Sequence, residues 1–112
     1  MATWVTLCEN KDFRTLYYRG KSQVHTGLVT YVRPNRLGYP RVGITTGKKV
    51  GGAVQRNRSR RVIREAFRPL WPRVGSYDIV FVARTRTAEL KSTDLTPVME
   101  RQLTQLGVMD HE

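Results

Sequence analysis

Residues 48–71, KKVGGAVQRNRSRRVIREAFRPLW, carry eight Lys or Arg and one acid. Like charges at helical spacing repel and weaken an isolated helix. The segment nevertheless has helical periodicity. Setting Val54 at zero and advancing about 100° per residue gathers Gln55, Ser59, Val62, Ile63, Ala66 and Phe67 on one side. Arg58, Arg60, Arg61, Arg64 and Arg68 fall opposite, with Asn57, and Arg56 lies at the border. The spacing predicts a helix from about Ala53 to Arg68, stopped by Pro69 and then Pro72. A helix with one apolar stripe must dock, and a sheet is the natural surface for it. Docking would hold a row of guanidinium groups outward. Every basic position on this helix is Arg, whose planar fork binds phosphate oxygens in pairs. With Glu65 the only local acid, the compensating charge must come from another molecule.

The charge balance agrees. The chain has 112 residues with 20 basic and 9 acidic, a formal net charge of +11. Such an excess speaks of partners rather than of fold. Nucleic acid, an anionic membrane and an acidic protein are the candidates. A membrane-lying helix needs a bulky, deeply apolar face. Here that face carries Gln55, Ser59 and Ala66, which weakens the membrane alternative. No run approaches the roughly 18 apolar residues of a membrane span, and the N-terminus does not read as a signal peptide. The expectation is cytoplasmic. Cys8 is the only cysteine and cannot form an internal disulfide.

The length suits one domain, 1–112, with a modest core. ENKDFRTLYYRG reads as a first helix, with Asn10 as N-cap, Asp12 in the first turn and Gly20 at C′. Phe13, Leu16 and Tyr17 share a face. Val24 to Arg33 reads as a strand, broken by PNRLGYP, and RVGITT as a second strand, its antiparallel neighbour. YDIVFVAR, residues 77–84, is almost continuously apolar and reads as a fully buried strand. Leu95, Val98, Met99, Leu103 and Leu106 mark a last helix. Pro97 belongs in a first turn, which places its start near Asp94, and its end falls near Gly107. Residues 108–112 are expected to fray.

Catalytic groupings are missing from the sequence. The acids are scattered without ligand spacing, and the histidines are His25 and His111 alone. GITTGKKVG imitates a phosphate-binding loop, but only three residues separate Gly43 from Gly47, and Lys48 is followed by Lys49. The protein by itself does not read as an enzyme.

The segment RVGITTGKKVGGAVQRNRSRRVIREAFR resembles the signature of the bacterial ribonuclease P protein subunit family. Its core is Arg56, Asn57 and Arg58, followed by Arg60, Arg61 and Arg64. NKDFRTLYYRG upstream and YDIVFVAR downstream match in order, so the likeness spans roughly residues 5 to 106. The resemblance implies an α/β two-layer sandwich in the order α-β-β-β-α-β-α, with a left-handed parallel crossover and a ribosomal-protein-like RNA-binding fold. One strand of that order comes from the resemblance alone. It implies an endoribonuclease that removes the 5′ leader of precursor tRNA, with the active site and its Mg2+ on the RNA subunit and no catalytic residue in the protein. The implied partners are that RNA and precursor tRNA, with no membrane and no obligate protein partner.

By the same resemblance, Lys48, Lys49, Arg56, Asn57, Arg58, Arg60, Arg61, Arg64 and Arg68 would contact the catalytic RNA. Phe13, Tyr17 and Tyr31 would line a cleft for the single-stranded leader, with Arg84 as a further basic candidate. Stacking on such rings tolerates any base. Tyr18 and Tyr39 receive no role. Ser59 stands where the family usually has an aliphatic residue, Gly47 where it has serine, and Gly52 where it has Lys or Asn. The alternative is a ribosomal or DNA-binding protein using the same basic helix. The aromatic cleft and the order of motifs argue against it, since major-groove readers need neither.

Overall fold

The computed structural model describes residues 4–7 and 9–109. Cys8 and His111 therefore lie outside the described residues. In chain order the elements are β1 (Val5–Thr6), α1 (Asn10–Arg19), β2 (Lys21–His25), β3 (Leu28–Pro34), β4 (Arg41–Thr45), α2 (Ala53–Phe67), β5 (Tyr77–Ala83) and α3 (Ser92–Gln105). Short 3-10 turns occur at Lys48–Val50, Trp71–Arg73 and Thr87–Glu89. The strands form a five-stranded mixed sheet in the order β1-β4-β5-β3-β2. Apart from the two-residue β1, this is the expected sequence of elements.

The expected pairing of the first two strands is corrected. β5 lies between them, antiparallel to β3 and parallel to β4. The apolar run of β5 suits that central place. Ile79, Phe81 and Ala83 enter one core, while Val80 enters another, with Leu7 and Leu16. Alternation puts these sets on opposite faces. α2 and α3 pack over the larger core and α1 over the smaller, so β5 is covered on both sides. The connection β4–α2–β5 joins parallel neighbours, as a helical crossover must.

The strand expected from Val24 to Arg33 is a hairpin, β2 with β3, turning at Thr26–Gly27. Nδ1 of His25 accepts the Gly27 N–H at 2.9 Å and stabilises that turn. A buried polar cluster then fastens the hairpin to α3. Gln102 Nε2 donates to the carbonyls of Gln23 (3.2 Å) and Leu28 (3.1 Å). Its Oε1 accepts from Thr30 Oγ1 at 2.6 Å. Every polar atom of the Gln102 side chain is engaged, so its burial carries no stranded group.

Helix ends differ from expectation at three places. Glu9, not Asn10, is the N-cap of α1, and Gly20 has an extended backbone (φ −78°) rather than a left-handed one. Glycine is needed at 20 for close approach, since a Cβ there would lie 2.5 Å from the Leu16 carbonyl oxygen. α3 begins at Ser92, not Asp94, because Asp94 serves as the third helical residue and accepts the Lys91 N–H at 3.1 Å. Pro97 consequently sits inside the helix. At the other end Gly107 (φ +79°) takes the left-handed cap position. Its N–H reaches the Thr104 carbonyl, and that of Val108 the Leu103 carbonyl. This cap turns Val108 and Met109 back into the core, so the fraying expected from residue 108 does not begin there.

A charged junction braces the lower sheet. Arg41 meets Asp78 through two parallel bonds, Nε–Oδ1 at 2.9 Å and Nη2–Oδ2 at 2.7 Å, and approaches Asp12 of α1 at 3.9 Å. The hydrogen bonds to Asp78 raise the guanidinium pKa above its ordinary value, while burial acts the other way.

Candidate nucleic-acid interface

The helix α2 docks as its periodicity requires. Ser59, Val62, Ile63, Ala66 and Phe67 are buried, and the Phe67 ring meets Phe81 edge-on at 5.1 Å. Gln55 departs from that face. It is exposed, because the first turn lies beyond the packed part of the helix. Ser59 occupies its buried site by donating to the Gln55 carbonyl at 2.9 Å, which satisfies its hydroxyl within the helix.

Opposite this face, Asn57, Arg58, Arg60, Arg61, Arg64 and Arg68 are exposed, and Arg56 is half-buried. Lys48 and Lys49 stand exposed in the 3-10 turn before the helix. Gly52 caps α2 without any side-chain bond, leaving the first-turn N–H groups facing outward. Three of the arginines have protein partners. Arg58 Nε donates to the Ala88 carbonyl at 2.6 Å, Arg60 leans on Asn57 Oδ1 at 3.4 Å, and Arg68 pairs with Glu65 at 3.2 Å. Arg56, Arg61 and Arg64 have no partner among the described residues. The result is a cationic ridge of which most arginines have no acidic partner among the described residues.

The aromatic residues lie on the α1 side of the sheet. Phe13 and Tyr17 line an open pocket of about 510 Å³ together with Asn10, Arg14, Ile44 and Thr45. Tyr31 stands behind Tyr17 rather than in the lining, their rings crossing edge-on at 5.0 Å. Phe13 belongs partly to the core, packing with Leu7, Leu16 and Val80. Its ring edge comes close to Gly43, where a Cβ would meet Cε1 at 2.6 Å, so glycine there lets the ring approach the sheet. Arg84 is not part of this lining. It follows β5 and reaches the His25 carbonyl at 3.4 Å, beside the β2–β3 turn.

Sequence reasoning missed Asn10, Arg14 and Thr45 in the pocket. For Arg14 a signal existed, since it lies one turn before Tyr17 and therefore on its face. Thr45 offered none, because its position depends on how β4 meets α1. Tyr18 and Tyr39, left without a role, are exposed.

The sequence model of the family described as Ribonuclease P matches residues 1–107. This chain belongs to the ribonuclease P protein family. It is 43% identical over 94 residues to a ribonuclease P protein component of Clostridioides difficile, covering 80% of each chain. It is 37% identical over 102 residues to one of Symbiobacterium thermophilum, covering 89% of each. The solved structure of the Staphylococcus aureus RNase P protein superposes with a TM-score of 0.83 at 28% identity, covering 96% of this chain and all of that one. That of Thermotoga maritima superposes with a TM-score of 0.76 at 27% identity, covering 95% and 98%. Membership in the ribonuclease P family makes this a tRNA-processing, RNA-binding protein and implies partnership with the ribonuclease P RNA.

Among the described residues no group of three or more His, Cys, Asp or Glu side chains could hold a metal ion. The acids that the fold does bring close, Asp12 and Asp78, converge on Arg41 instead.

Proposed function

We propose that this protein binds the ribonuclease P RNA through the α2 ridge and the 5′ leader of precursor tRNA through the aromatic pocket. It thereby assists removal of the leader by an active site on the RNA. One observation carries the reading. Arg56, Arg61 and Arg64 have no partner among the described residues, on a helix whose other face is locked into the core. Arginine forks in that arrangement suit successive phosphates of an ordered RNA. Lys48 and Lys49 extend the same surface toward the pocket.

In the pocket Phe13 and Tyr17 offer rings to unstacked bases, backed by Tyr31. Arg14, beside Tyr17, offers charge to the leader backbone. Magnesium, in this reading, is a cofactor held by RNA phosphates, and the protein's contribution is cationic charge that lowers the magnesium concentration required. The protein acts where that RNA and precursor tRNA are, in the cytoplasm.

The test is cleavage of a precursor tRNA at low magnesium with a bacterial ribonuclease P RNA alone, this protein alone, and both. Cleavage that requires both supports the assisting role. Cleavage by the purified protein alone would place the chemistry on the protein and overturn the reading.

A further inference from the structure

A notch of about 180 Å³ opens between α2 and the segment leading into α3, where Arg58, Arg61 and Lys91 come together. Its apolar walls are Val62 and Leu90, and its one acid is Glu65. Arg58 and Arg61 come from the ridge, but Lys91 arrives from a different element. Nothing in the local sequence ties it to the arginines.

The notch is built rather than loose. Arg58 Nε is fastened to the Ala88 carbonyl at 2.6 Å, which fixes the plane of the guanidinium and leaves its remaining N–H groups available. The turn that carries Ala88 is itself held. Thr87 Oγ1 donates to the Gly27 carbonyl at 2.7 Å and accepts the Arg84 N–H at 2.8 Å. Arg61 and the Lys91 ammonium form no ion pair among the described residues, while Glu65 is engaged with Arg68. Three cations from two elements therefore face a single carboxylate that is already paired. Apolar walls lower the local dielectric and strengthen whatever anion enters.

We propose that this notch is a phosphodiester subsite for the ribonuclease P RNA, with Lys91 its specific contributor and Arg58 and Arg61 the fork-bearing side. The inference rests on the reading of the α2 ridge as the RNA-binding surface. It adds that the contact runs off the helix and onto the approach to α3. Glu65, at the rim, opposes the incoming phosphate.

Affinity for a bacterial ribonuclease P RNA transcript, measured across a salt series, tests this. Lys91 is exposed and its ammonium forms no ion pair among the described residues, while its backbone N–H, which Asp94 accepts, is kept in alanine, so Lys91→Ala should leave the fold intact. The expected result is an affinity roughly three- to tenfold weaker at about 0.1 M salt, with a log–log salt slope shallower by about 1. Lys91→Arg should keep the parent slope, and Glu65→Gln should tighten binding. Lys11→Ala, on α1, is the control for net charge alone and should leave the slope unchanged. A parent-like slope in Lys91→Ala overturns the subsite while leaving the ridge reading intact. So does an equal loss in Lys11→Ala. A parent protein without salt-dependent binding to the transcript overturns both.

Discussion

The hydroxyl oxygens of Tyr17 and Thr45 lie 3.0 Å apart, joining α1 to β4 across the floor of the aromatic pocket. The Tyr17 ring also meets Tyr31 edge-on, their centroids 5.0 Å apart. The ring and the hydroxyl can be separated by mutation. Tyr17→Phe keeps the ring and should bind precursor tRNA within about twofold of the parent, because an exposed neutral hydrogen bond contributes little. Tyr17→Ala removes a stacking surface worth about 1–3 kcal/mol per base. It should weaken precursor tRNA while leaving mature tRNA, which has no leader, unchanged. Equal losses for both RNAs would assign Tyr17 to the fold.

The ridge predicts steep salt dependence. With about six to eight phosphates neutralised, log K against log salt for the ribonuclease P RNA should slope by roughly −4 to −7. Titration of binding at several salt concentrations measures it. A flat response would remove α2 as the contact surface.

Much of this surface could be read from residue order, because a helix obeys local rules. The 3.6-residue period sorted the arginines from the docking face, and Pro69 marked the end. Longer-range features were not legible. No local signal places β5 between β3 and β4, since strand order is decided by which faces bury best together. The turn at Thr26–Gly27 was hidden because a lone glycine inside a β-branched run is a weak signal, and the bond from its N–H to the His25 ring depends on the folded hairpin. Gln55 matches the docking face by angle yet stays exposed, for periodicity gives direction and not the extent of the partner surface.

Gln102 is a second feature that polarity would have placed outside. Gln102→Leu would strand the carbonyls of Gln23 and Leu28 and the hydroxyl of Thr30. A loss of at least about 2 kcal/mol in unfolding free energy is expected. Chemical denaturation measures it. Adding Thr30→Val should recover part of the loss, because it removes one stranded group.

Ser59 is a buried hydroxyl on the docking face of α2. Its hydroxyl bonds only its own helix, a pattern that slightly weakens helices. Ser59→Ala should raise stability by up to about 1 kcal/mol, without changing RNA affinity. Thermal melting and binding assays on the same variant report both. A marked destabilisation would show that the hydroxyl is needed for packing.

Thr45 lines the pocket, and Ala53 opens the arginine helix a short connection later. β4 and α2 both pack on β5, so neither surface can shift without the other. The molecule is in effect a caliper. In the proposed roles one jaw would grip folded RNA and the other would meet the single strand, and the gap between them is set by a strand and a helix that share a core. Under the proposed roles, the leader nucleotide that meets the rings is chosen by its distance from the cleavage point, whatever base it carries.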